Sequence, residues 1–110
     1  MIKTEEIIKK LWNASDDRKA CRVVLNSEPF PRVIHPYGVC LTTANRLILV
    51  CKQVAGYTRS GGNEGFRNLI LDRINEVEIL NQEFLVDEDF NPQDSQYKEW
   101  IYCLTKNESR

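Results

Sequence analysis

The stretch from Gly65 to Leu80, GFRNLILDRINEVEIL, constrains the fold most, because two β-rich runs, Arg67 to Leu71 and Ile74 to Leu80, are separated only by Asp72-Arg73. Short apolar, β-branched runs around a polar two-residue step read as strand, turn, strand, and the Asp72 side chain can brace such a turn. The same stretch sets Arg67 and Arg73 into a stiff frame. A guanidinium held by its neighbours suits a planar or phosphate-bearing ligand, since its fork of donors loses little freedom on binding. The plain alternative is two solvated arginines flanking a hairpin.

The rest of the chain continues the β pattern behind one helix. Thr4 can cap a helix with Glu5 and Glu6 in its first turn and an apolar stripe of Ile7, Ile8, Leu11 and Trp12, ending between Asn13 and Asp17. Cys21 to Leu25 is a short β-branched run. Arg32 to Thr42 reads as a strand bent at Pro36 to Gly38, and Thr43-Ala44-Asn45 as a turn. Leu47 to Val54 is apolar enough to be a central strand, and the glycine-rich Gly56 to Gly65 is a loop. Beyond Phe84 an acidic linker with Pro92 leads to Tyr97, Trp100, Ile101 and Leu104, whose spacing predicts the buried face of a final helix. These elements predict a mainly β chain with flanking helices, a small five-stranded barrel carrying an N-terminal and a C-terminal helix. Residues 1–84 would form the barrel with its first helix, and 85–110 a linker and helix packed on the same domain.

A length of 110 residues with 42% hydrophobic content supports one modest core. No apolar run approaches the roughly 20 residues of a membrane span, and the charged start, Met1-Ile2-Lys3-Thr4-Glu5-Glu6, does not read as a secretory signal. The expectation is a cytoplasmic protein with no membrane partner. Cys21, Cys40, Cys51 and Cys103 lack the close spacing of a zinc knuckle or redox pair and read as free buried thiols, the first three in strands and Cys103 in the final helix.

Charge is segregated along the chain. Nine bases face three acids between Arg18 and Arg73, and nine acids face three bases from Ile74 onward, so the net charge of −1 conceals a basic middle and an acidic end. A basic middle can present a positive face to an anionic ligand. Catalysis is not indicated. The lone His35 has no argued Cys or Ser partner, the acids are scattered, and the Gly56-to-Gly62 segment lacks the Gly-Lys-Ser/Thr ending of a phosphate loop. No metal and no cofactor is implied.

The order of these elements, with Arg32-Val33-Ile34-His35-Pro36-Tyr37 and the closing Leu71-Asp72-Arg73-Ile74, resembles the WYL domain family over about residues 5 to 84. The family reads Arg-x-Phe-Arg-Leu-Asp-Arg-Ile at that turn. Alignment on Ile74 puts Arg67 on the first arginine and Arg73 on the last, with Ile70 at the middle arginine and Leu69 at the phenylalanine. The Trp-Tyr-Leu strand corresponds to Leu47-Ile48-Leu49. The resemblance implies a Sm-like, Src-homology-3-like small barrel that senses nucleotides or single-stranded nucleic acid, often beside a helix-turn-helix headpiece. Only about 20 residues precede the first strand here, room for one helix.

Single-stranded nucleic acid is held by positive charge together with stacking rings. Arg59, Arg67 and Arg73 would supply the charge; Tyr37, Tyr57 and Phe66 are the candidate rings, Tyr57 being the best placed for exposure and the other two equally suited to a core. The expected function is a non-catalytic ligand-sensing or regulatory module, in transcription or defence, that binds a nucleotide or short single-stranded nucleic acid through Arg59, Arg67, Arg73 and Tyr57. The alternative is a protein-interaction module, a homodimer or a partner-docking domain, in which the arginines only decorate the rim.

Overall fold

The computed structural model describes residues 3–57, 65–94 and 96–104. Helix α1, Lys3–Asp17, begins with Glu5 and Glu6 in its first turn, where carboxylates complement the helix dipole. It ends because Arg18 adopts φ 56°, a left-handed conformation, from which its backbone N–H and its Nη1 both donate to the carbonyl of Ser15 at 3.1 and 2.7 Å. Those bonds satisfy a terminal carbonyl and offset a left-handed conformation that costs about 1–2 kcal/mol. The buried stripe is Ile7, Leu11, Ala14 and Ser15. Ile8 is only half-buried, and Trp12 is 43% exposed with its ring stacked on Tyr102 at 4.9 Å, so the expected stripe is rotated toward Ala14.

The strands are β1 (Lys19–Leu25), β2 (Arg32–Thr42), β3 (Leu47–Gly56), β4 (Gly65–Ile70), β5 (Ile74–Glu83) and β6 (Tyr97–Cys103), with a 3₁₀ turn, Leu71–Arg73, between β4 and β5. All pairings are antiparallel, in the order β4-β3-β2-β1-β5. The eleven-residue β2 is long enough to share one edge, giving Arg32, Val33 and Ile34 to β1 and Gly38 to Thr42 to β6. No ladder joins β4 to β5 among the described residues, so the sheet is open. It is nevertheless strongly curled. Four strand spacings in a flat sheet would hold the edges about 19 Å apart, whereas the four peptide units from Ile70 to Ile74 reach at most about 15 Å.

Curling gives the sheet two differently covered faces. On one, α1 closes a core of Leu11, Cys21, Val23, Ile34, Leu49, Cys51, Leu69 and Val77. On the other, the segment after β5 folds back so that Phe84, Phe90 and Leu104 cover Tyr37, Cys40, Ile48 and Val50. Strand β3 lies between the two cores. That position explains its apolar run, since neither face of the strand meets water from Ile48 to Cys51.

The C-terminal helix expected from Tyr97, Trp100, Ile101 and Leu104 is instead β6, and the described chain has six strands and one helix. Cys103 therefore lies in a strand as well. Two irregularities in the β2–β6 ladder produced the helical spacing: Val39 pairs Tyr102 while Cys40 pairs Trp100, and Leu41 pairs Glu99 while Thr42 pairs Tyr97. Ile101 and Lys98 are the extra residues, and both are exposed. Each bulge inserts one residue into a period of two, so Tyr97 and Trp100 share a face three residues apart, as they would on a helix.

Candidate ligand-binding site

Strands β3 and β4 form a hairpin whose last described pair is Gln53 and Gly65. Tyr57 follows the end of β3, and Arg67 is the third residue of β4. Alternation puts Arg67, opposite Cys51, on the α1 side of the sheet, and Phe66, opposite Lys52, on the other. Arg67 is half-buried, and its Nη1 donates to the Phe66 carbonyl at 3.0 Å.

Beside Tyr57 lies a buried polar cluster absent from the sequence-based expectation. Arg32 and Glu28 form a two-pronged ion pair, Nε to Oε1 at 2.9 Å and Nη2 to Oε2 at 2.7 Å, with side chains only 8% and 4% exposed. The Arg32 Nη1 donates to Gln53 Oε1 at 3.1 Å, and Gln53 Nε2 donates to the carbonyls of Ala55 and Tyr57 at 3.2 and 2.8 Å. The Tyr57 ring centroid stands 6.0 Å from the Arg32 guanidinium carbon. The chain thus fixes Tyr57 through Gln53 and Arg32, with its amide also donating to Pro31 O at 3.1 Å. Two signals in the sequence were informative: a glutamine inside the most apolar strand, and an acid four residues before Arg32.

Electrostatics mark the same place. The hydrogen bonds that Arg32 donates to Glu28 hold its pKa above the ordinary value. Burial pushes the Cys51 thiol up to about 12, while the positive charges of Arg32 and Arg67 pull against that rise. Both guanidinium charges therefore act on Cys51, the residue paired with Arg67.

The expected site residues are only partly brought together. Tyr57 lies just past the end of β3 against Arg32, and Arg67 lies opposite Cys51 within β4, while Arg59 lies outside the described residues. Arg73 stands apart on the exposed 3₁₀ turn, where its carbonyl accepts from Asn26 N at 2.8 Å, and no described bond joins its side chain to Tyr57 or Arg67. Of the candidate stacking rings, Tyr37 is fully buried, and Phe66 is 39% exposed on the opposite face from Arg67. Much of the basic middle is also matched internally: Lys52 bridges Asp87 at 2.7 Å, Arg22 bridges Glu78 at 3.2 Å and Lys19 bridges Glu83 at 3.6 Å. Among the described residues, no three His, Cys, Asp or Glu side chains gather as a metal site, and no helix is long and apolar enough to cross a membrane. Comparison with known proteins adds no constraint, since no family model, no curated protein and no solved structure matches the chain.

Proposed function

We propose that this chain is a non-catalytic, WYL-like binding module that takes an anionic ligand, a nucleotide or short single-stranded nucleic acid, at the base of the β3–β4 hairpin. Tyr57 offers a ring held in place from below, Arg67 offers charge, and Arg59 belongs to the segment between them. The observation that carries the reading is the buried Glu28–Arg32–Gln53 network, which holds the Tyr57 carbonyl and sets the Arg32 guanidinium 6.0 Å from the Tyr57 ring. Glu28 neutralises Arg32, which makes that residue the support of the site and Arg67 its ligand-facing charge. The curled β4-β3-β2-β1-β5 order supports a Sm-like small barrel to which β6 is an addition. Four free cysteines fit a reducing, cytoplasmic compartment, and a role in transcriptional or defence regulation follows from the resemblance.

The test is titration of labelled single-stranded oligonucleotides and nucleotides against the wild type, Arg67→Ala and Tyr57→Ala. Loss of Arg67 should weaken binding by about 1.5–3 kcal/mol, the scale of a hydrogen bond to a charged group. For oligonucleotides, the log–log slope with salt should shrink by about 0.7 for each phosphate contact removed. A folded protein with no salt-sensitive binding would overturn the reading. The second reading, an interaction module, is favoured by the open edge strand β5, which presents Ile79 at 41% exposure. It predicts concentration-dependent self-association that Ile79→Lys abolishes.

A further inference from the structure

On the face of the sheet away from α1, a cavity of about 170 Å³ opens between β4, β6 and the segment that joins β5 to β6. Phe66, Phe90 and Tyr97 supply its aromatic walls, and Asp89, Asn91 and Asp94 its polar ones. A cavity of roughly 150 Å³ is enough to hold benzene, so a compact organic head group fits.

The walls are held from behind. Phe90 is 3% exposed and packs edge-on against Tyr37 at 4.7 Å and Trp100 at 6.1 Å. Phe66 meets Tyr37 edge-on at 5.5 Å, and Tyr97 lies 4.9 Å from Trp100. Trp100 Nε1 donates to the Pro92 carbonyl at 2.9 Å, and Asn68 Nδ2 to Gln96 Oε1 at 2.8 Å, which ties the joining segment to β6 and β4. The rings are thus in place before any ligand arrives.

The charge in the cavity is one-sided. Asp94 Oδ1 accepts from Gln96 N at 3.1 Å, but neither Asp94 nor Asp89 meets a basic side chain among the described residues. The base beside the cavity, Lys52, lies opposite Phe66, and its Nζ is drawn to Asp87 at 2.7 Å. Ring faces and carboxylates have one preference in common. Both attract a cation, and the rings favour one that sheds water readily, as an alkylated ammonium does and a bare lysine ammonium does not.

From the ring-walled cavity and its unmatched carboxylates we infer a second binding site, one that takes a quaternary or methylated ammonium group against Phe66 and Tyr97, with Phe90 buried behind them and Asp89 and Asp94 balancing its charge. It lies on the opposite face from Arg67 and stands independently of the anion site.

The experiment titrates the whole chain with choline chloride at constant ionic strength, read by Trp100-sensitive fluorescence and by amide chemical shifts. 3,3-Dimethyl-1-butanol, the uncharged isostere of choline, is the control, and a peptide bearing trimethyllysine is a second arm that separates a small-molecule ammonium from a modified side chain. Saturable choline binding is expected, with the isostere about 2–30-fold weaker, the range of a cation over aromatic faces. Phe66→Ala and Asp94→Asn should each weaken choline several-fold; Asn keeps the carbonyl oxygen that accepts from Gln96, so the second variant preserves the turn. Arg67→Ala should leave choline affinity unchanged. Equal binding of choline and its isostere, or no saturable binding of choline or the peptide to the folded protein, would overturn the inference.

Discussion

Gly38 shows how closely two strands approach. A Cβ added there would lie 2.5 Å from the Tyr102 carbonyl oxygen and 2.7 Å from Trp100 Cζ3, and a backbone atom cannot swing aside as a side-chain tip can. Gly38→Ala is therefore expected to push β6 from β2 and cost about 1–3 kcal/mol, the usual penalty of overpacking. Chemical denaturation checks this, and an unchanged midpoint would mean that β6 adapts freely. At the Glu28–Arg32 pair the expected signs differ between single and double substitutions. Glu28→Ala leaves a buried guanidinium without its carboxylate and should cost about 3–5 kcal/mol, whereas Glu28→Ala combined with Arg32→Met should recover most of that loss. A double variant no more stable than the single one would show that the pair itself stabilises the fold.

At the scale of elements, β6 and the joining segment form the lid of the second core. Phe84, Phe90 and Leu104 cover Tyr37, Cys40, Ile48 and Val50, and Trp100 packs against the same cluster. Trp100→Ala should cost near the lower end of about 3–5 kcal/mol, since the ring is only half-buried. A chain ending at Phe84 should lose its cooperative melt and bind a hydrophobic dye through the uncovered face of β2 and β3. Were the shortened chain to keep its thermal midpoint, β6 would be an idle tail. The final helix read from the sequence failed at this scale: bulges, which depend on the partner strand, mimicked a helical repeat.

For the whole molecule, the charge segregation visible along the chain becomes internal pairing, as the acidic second half folds onto the basic middle through Lys52–Asp87, Arg22–Glu78 and Lys19–Glu83. Bridges of this kind, exposed or partly exposed, contribute little each, about 0–1 kcal/mol. Alkaline pH should matter more. Burial pushes Cys21 and Cys51 up to about 12, and Cys40 and Cys103 up to about 11, from an ordinary 9.0. Raised pKa values mean that the folded chain holds protons the unfolded chain has released, so stability is full below pH 9 and falls as pH rises toward 11 to 12. Denaturation midpoints between pH 7 and 11 measure this, and a midpoint that rose above pH 9 would contradict it. A disulfide reagent at neutral pH should react slowly with the native protein and fast with all four thiols once unfolded.

Local pattern was enough to determine α1, the strands β1 to β5 within a few residues, and the turn at Asp72-Arg73, because helical and strand periods and turn chemistry are properties of neighbours along the chain. It also singled out Tyr57, just past the end of β3, and Arg67, opposite Cys51 in β4. Tertiary structure alone decided the rest. The Arg32–Gln53 bond joins residues 21 apart, and the Lys52–Asp87 bridge residues 35 apart. Tyr37 could be told from an exposed ring only once Phe84 and Phe90 had folded over it. Whether β2 takes β1 or β6 along one edge, and where β6 must bulge to fit, depends on a partner strand that local sequence does not name.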